Sequence, residues 1–246
     1  MRSKPATFSI AATLIAACAM TAFGEGATIK GKVSYKGTPP KTSGKKIKMS
    51  ADAACAAMHS GPVYSEWIVV NENGMLRDVL VYVKSGLPDK KWDIPSEAVV
   101  LNQKGCTYEP HVFGLMAGQT LTIKNSDNTS HNIHALPKVN AEFNFGQPKQ
   151  GMTGDRIFKT PEMAVKLKCD VHPWMGAWAH VLPHPFHATT GADGTFEISG
   201  LPAGEYVIEA WTEKMKTQTM TVKVGEGETK EIEFSFERKR KAKKKG

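Results

Sequence analysis

After residue 24 the sequence has no uncharged hydrophobic run of membrane-spanning length, which excludes a multi-span membrane protein. Long stretches of helical periodicity are missing too, so a helical bundle has nothing to pack. No P-loop, dinucleotide fingerprint or nucleophile–base pair is present, which removes the commonest enzyme motifs. Excess charge is scarce where it would count. Nine of the 32 Lys and Arg sit in the first four and last nine residues, leaving 23 against 24 Asp and Glu. The net +8 is therefore a property of the ends, and the body offers no basic groove for nucleic acid. Glycine (22) and proline (14) are too few for a low-complexity chain among 246 residues, yet suit a turn-rich β protein. With 41% hydrophobic residues, the chain can bury one or two ordinary cores.

The ends carry their own signals. Arg2 and Lys4 precede an uncharged run from Phe8 to Phe23, as in an export signal, with small Ala22 and Gly24 placed for cleavage before Glu25. Ile15-Ala16-Ala17-Cys18 offers a rival, lipidation of Cys18. Both readings put the protein in the periplasm or otherwise outside the cytoplasm. Arg238 to Gly246 is expected as a disordered basic tail, for solubility or for contact with an anionic membrane or partner. Three cysteines follow the leader: Cys55, Cys106 and Cys169. An odd number in an oxidising compartment leaves one to be buried or ligated, and Cys55 with Cys106 is the expected pair.

Period-two alternation dominates the rest. Ile29, Val33 and Tyr35 alternate with polar neighbours, as do Ile232, Phe234 and Phe236, while Leu76 to Val83 reads as one buried strand. Turn chemistry is explicit at Asp193-Gly194 and across Gly200 to Gly204. The one expected helix, Ser50 to His59 with Ser50 as N-cap, is read as remote from function.

Chemistry concentrates in Cys169-Asp170-Val171-His172-Pro173-Trp174-Met175. A thiolate, an imidazole and a thioether at i, i+3 and i+6 after a strand form a soft donor set, and the imidazole turns the preference toward copper. The segment Asn125 to Asn132 supplies a further imidazole, His131, some forty residues upstream. Zinc is disfavoured by the thioether and by the lack of a carboxylate in the motif. A dinuclear site would want a second cysteine in the loop.

These two segments, with Tyr108 to Val112 and Ala117 to Ile123, resemble the cupredoxin or blue-copper family, in its amicyanin-like and plastocyanin-like members, over residues 96–183. The resemblance implies a Greek-key β-sandwich holding one mononuclear type-1 copper ion. His131, Cys169 and His172 would be its equatorial ligands and Met175 a long axial one. It also implies that Asn132 fixes the ligand loop and gives the Cys169 sulfur a backbone hydrogen bond, and that the His172 edge faces a redox partner across Pro173 and Trp174. His134, three residues past His131, would point to the opposite face. His111, His180, His184 and His187 are expected in structural or surface roles rather than at a second metal.

Thr189 to Tyr206 resembles the transthyretin-like, carboxypeptidase-regulatory-type β-sandwich, whose opening strands Gly31-Lys32-Val33 and Val79 to Val83 would match. Neither flank alone has strands enough to enclose a core. The expected all-β organisation is thus a leader (1–24), a split sandwich (25–95 plus 184–237), an inserted cupredoxin domain (96–183) and a tail (238–246). The expected function is single-electron transfer to redox proteins rather than enzyme activity, with no nucleic-acid partner. Non-redox copper storage, delivery or sensing is the alternative, or a structural, glycan- or peptide-binding β module.

Overall fold

The computed structural model describes residues 26–238. The expected cleavage site, the Cys18 lipidation signal and the tail from residue 239 lie outside the described residues. Eighteen strands and very little helix make up the described chain, arranged chiefly as two β-sandwiches.

In the first, the strand Ala27–Tyr35 lies between Thr195–Leu201, antiparallel, and Thr229–Phe236, parallel. Its facing sheet is built from His187–Thr189, Leu80–Ser85, Gly204–Trp211 and Gln218–Val224. The period-two reading is visible in what is buried: Ile29 and Val33 from the central strand, and Ile232, Phe234 and Phe236 from its neighbour, share one core with Phe196 and Ile208. The run from Leu76 is not one strand. Asp78 takes a positive φ of 62° and divides it into Leu76–Arg77 and Leu80–Ser85.

Gly31 occupies the centre of this sheet because nothing larger fits. A Cβ there would lie 1.8 Å from the Ile232 carbonyl oxygen. Gly31→Ala must push the parallel pair apart, and a cost of about 2 kcal/mol or more is expected. A denaturant midpoint unchanged from the parent would show that the sheet yields freely there.

The second sandwich pairs a five-stranded sheet with a four-stranded one. The five strands run in the order Phe143–Gln147, His131–Leu136, Glu162–Lys168, Gly176–Leu182 and Val112–Met116. The four run Thr153–Ile157, Thr120–Asn125, Val99–Lys104 and Thr107–Glu109. Its core includes Leu101, Leu115, Ile123, Ile133, Leu167 and Ala179. The two sandwiches meet over Leu80, Tyr82, Val112 and Leu182, flanked by Trp178 and Trp211.

The segment around residues 45–64 departs from the expected division. Met49 and Cys55, with partly buried Ile47 and Val63, pack on the second core rather than the first. Its helix is also shorter than expected: a 3-10 turn Met49–Ala51 precedes Ala53–Ala57, and Asp52, not Ser50, is the N-cap, accepting from the Cys55 N–H. The Ser50 side chain makes no cap bond, because the chain is still turning at that residue.

Candidate metal centre

Three elements converge at one end of the second sandwich. His131 opens the strand His131–Leu136, Cys169 follows Glu162–Lys168, and His172 and Met175 lie in the loop leading to Gly176–Leu182. The loop is tight because it closes on itself: Met175 N–H donates to the His172 carbonyl, and Cys169 N–H to that of Met175. His131, Cys169, His172 and Met175 are 0, 1, 2 and 2% exposed, so the donor set is sealed from water.

Nδ1 of His131 and Nδ1 of His172 are 3.0 Å apart, and Cys169 Sγ is 3.9 Å from the latter. One donor atom from each of His131, Cys169 and His172 lies within 4.8 Å of the others. Met175 is buried in the same core. Two further groupings of this size occur among the described residues, Cys55–Cys106–His172 and Cys106–Asp127–His131. Both depend on sulfurs already joined in the Cys55–Cys106 disulfide, so neither can supply a thiolate. Among the described residues Cys169 is the free cysteine, and it is buried.

Each imidazole is oriented by a carboxylate. Asp127 accepts from Nε2 of His131 at 2.9 Å, and Asp52 from Nε2 of His172 at 3.2 Å. Both rings thus carry their proton on the outer nitrogen and turn the Nδ1 lone pair inward. Burial lowers the pKa of His131, which favours the neutral ring a metal needs. Asp127 also accepts from the Gly105 and Cys106 N–H groups, tying this histidine to the disulfide. The Asp52 carboxyl is held below its ordinary range by the Cys55 N–H, then by His172.

Asn132 stands where expected but works differently. Its Oδ1 accepts from the Asp170 N–H at 2.6 Å and lies 3.2 Å from the Cys169 sulfur. The backbone N–H in reach of that sulfur belongs to His172, at 3.4 Å. The contact to Asn132 is therefore through its side chain, while its backbone carbonyl accepts from buried Tyr108 at 2.6 Å. The Tyr108 pKa is raised by burial and next by the nearby Cys169.

The His172 edge, expected to face a partner, is covered. Asp52 and Cys55 close over Nε2, with Cys55 Sγ at 3.4 Å. The short helix read as functionally silent is therefore the lid on the site. Asp127 has a local signal, four residues before His131. Asp52 has none, since 120 residues separate it from its histidine.

The remaining histidines do not join the cluster. His134 bonds Asp170 and Glu142, and His111 bonds Glu213 and the Gly176 carbonyl. His184 donates to the Val83 carbonyl, while His180 packs edge to face with Trp211, centroids 4.3 Å apart. Burial holds the pKa of His180 down at about 3 and that of His187 at about 4. They form a neutral joint between the sandwiches.

No curated protein matches the sequence. Among solved structures, a copper(I) amicyanin variant is similar at 21% identity and a TM-score of 0.32, covering 42% of this chain and 98% of its own. A purple cupredoxin from Nitrosopumilus maritimus is similar at 21% identity and a TM-score of 0.29, covering 34% and 99%. The copper-containing nitrite reductase of Thermus scotoductus SA-01 is 22% identical with a TM-score of 0.30; 35% of this chain matches 22% of that one. Thus this chain spans about a fifth of the reductase. Residues 181–237 match the family model described as a carboxypeptidase regulatory-like domain, and cupredoxins are among the structural neighbours of this two-sandwich β protein.

Proposed function

We propose that this protein is an exported mononuclear copper protein that passes single electrons between periplasmic redox partners. On this reading the copper-binding sandwich, residues 96–183, is inserted in a split carrier sandwich, 25–95 plus 184–237, from which the segment around residues 45–64 crosses to pack on the copper-binding core. The carrying observation is the convergence of two inward Nδ1 atoms and one free buried thiol from segments about forty residues apart. The donor chemistry fits copper: His131, His172 and Cys169 would hold it, with Met175 as a weak fourth ligand. Copper bound there supplies a reversible one-electron couple.

The chain's own part is to hold the donors still. Asp127 and Asp52 fix both rings, Asn132 and the His172 N–H fix the sulfur, and the Cys169-to-Met175 hydrogen bond clamps the loop. A pre-set donor cage limits rearrangement at each electron transfer. Were Met175 to complete the set of His131, Cys169 and His172, no position would be left open for a substrate, which supports the reading of a carrier over an enzyme.

Storage or delivery of copper is the second reading, and it calls for a solvent-open, exchangeable site. Burial of all four donors favours the carrier. Purified protein loaded with copper(II) should take up one ion, absorb intensely in the visible and be reduced and reoxidised reversibly, with an electron-spin-resonance signal lost and regained in step. Colourless protein, or copper that a mild chelator strips at once, would overturn the proposal.

A further inference from the structure

The lid over His172 shuts the ring edge through which a partner was expected to approach, yet the ligand loop has a second side. Pro173, Trp174 and Met175 form part of the wall of a 990 Å³ cleft between the loop and the segment around residues 45–67. Six lysines line it: Lys45, Lys46, Lys48, Lys166, Lys168 and Lys214. Against them stand three carboxylates, Glu66, Asp170 and Glu213, each already engaged. Glu66 pairs with Arg77, Asp170 with Lys168, and Glu213 with His111 and Lys214. Lys45, Lys46, Lys48 and Lys166 are exposed and have no ion-pair partner among the described residues. In a body of near-neutral charge, this is a local concentration of one sign.

Three tryptophans, Trp67, Trp174 and Trp178, line the same cleft. Trp174 joins it to the metal centre, since its ring lies 5.1 Å from that of His172, centroid to centroid. Its indole N–H donates to the Cys106 carbonyl at 3.1 Å, which fixes the ring on the disulfide loop.

We infer that this cleft is the docking site for the carboxylate-rich face of a redox partner protein, with Trp174 as the contact between that partner and His172. The inference rests on the electron-transfer reading for what passes, and on charge and shape alone for what docks. Unpaired lysines around an aromatic floor attract an acidic surface and raise its encounter rate, an effect worth tenfold to a thousandfold in steered associations.

The test separates docking from redox. Metal-free, nitrogen-15-labelled protein is titrated with an octaglutamate peptide, following the five indole N–H resonances. The Trp67 and Trp174 signals should shift saturably at low salt while Trp92, outside the cleft, stays still. In the Lys46→Glu/Lys48→Glu/Lys166→Glu variant the apparent affinity should fall at least tenfold. The matched reversal Lys149→Glu/Lys159→Glu/Lys223→Glu, on exposed residues elsewhere, should leave it unchanged. Equal losses in both variants, or no shift at Trp67 and Trp174, would overturn the docking site.

Copper-loaded protein then reports on electron exit. Oxidation of the reduced, copper(I) protein by the ferricyanide anion, which takes one electron to become ferrocyanide, should slow at least tenfold in the cleft variant and not in the control. Equal rates would overturn the exit through Trp174. A parent protein that binds the peptide but no copper would refute the carrier function and leave the lysine-lined docking site standing.

Discussion

Cys169→Ser should leave the protein folded and remove the whole visible absorption of the copper-loaded form. The band arises from charge transfer between thiolate and copper, and no other sulfur among the described residues can take over. Cys55 and Cys106 are bonded to each other, and a thioether such as Met175 carries no charge to transfer. The substitution is nearly isosteric, and the serine hydroxyl can still accept from the His172 N–H and donate to Asn132 Oδ1, as the thiol does now. The metal-free variant should therefore melt close to the parent, within the range of volume-conserving changes, about 1.5 kcal/mol. Copper affinity should fall steeply, because a hard hydroxyl replaces the one anionic donor in the set. A visible spectrum that survives the substitution, measured at equal copper occupancy, would place the metal elsewhere.

The fold was legible where burial imposes a strict period. Ile232, Phe234 and Phe236 are buried at alternate positions, with Glu231, Glu233 and Ser235 outward. The grouping of Cys169 with His172 was legible too, because three residues separate them in one loop and that loop sets their mutual distance. What was hidden has a common cause: it depends on contacts between distant segments. Asp78 breaks the run from Leu76 by taking a left-handed backbone conformation, where composition suggested one continuous strand. Asp52 was read as part of a short alanine-rich helix of no consequence, because nothing near it in sequence hints at His172. Local patterns carry periodicity and loop geometry; they do not carry the path by which the segment around residues 45–64 crosses from one sandwich to the other.

That crossing makes the disulfide the next largest determinant of behaviour. Cys55 and Cys106 are 51 residues apart, and a cross-link closing a loop of that size is worth about 4 kcal/mol in the chain-entropy account. Cys55→Ser/Cys106→Ser should lower the unfolding free energy of the metal-free protein by about that amount. The loss should also be local. The lid has few apolar anchors on the second core, mainly Met49, Ile47 and Val63, each worth at most about 3 kcal/mol. Ordering its backbone costs about 1–2 kcal/mol per residue, so without the covalent tie the lid opens readily. Opening withdraws Asp52 and Cys55 from His172 Nε2 and bares the ring edge. The copper-loaded double variant should then exchange electrons with a small neutral reagent at least tenfold faster than the parent, and its His172 ring N–H should lose protection against hydrogen exchange. Treating the parent with a dithiol should reproduce both effects. If stability falls while the exchange rate and the ring proton stay as they were, the lid is held by packing on the core, and the disulfide has no part in closing the site.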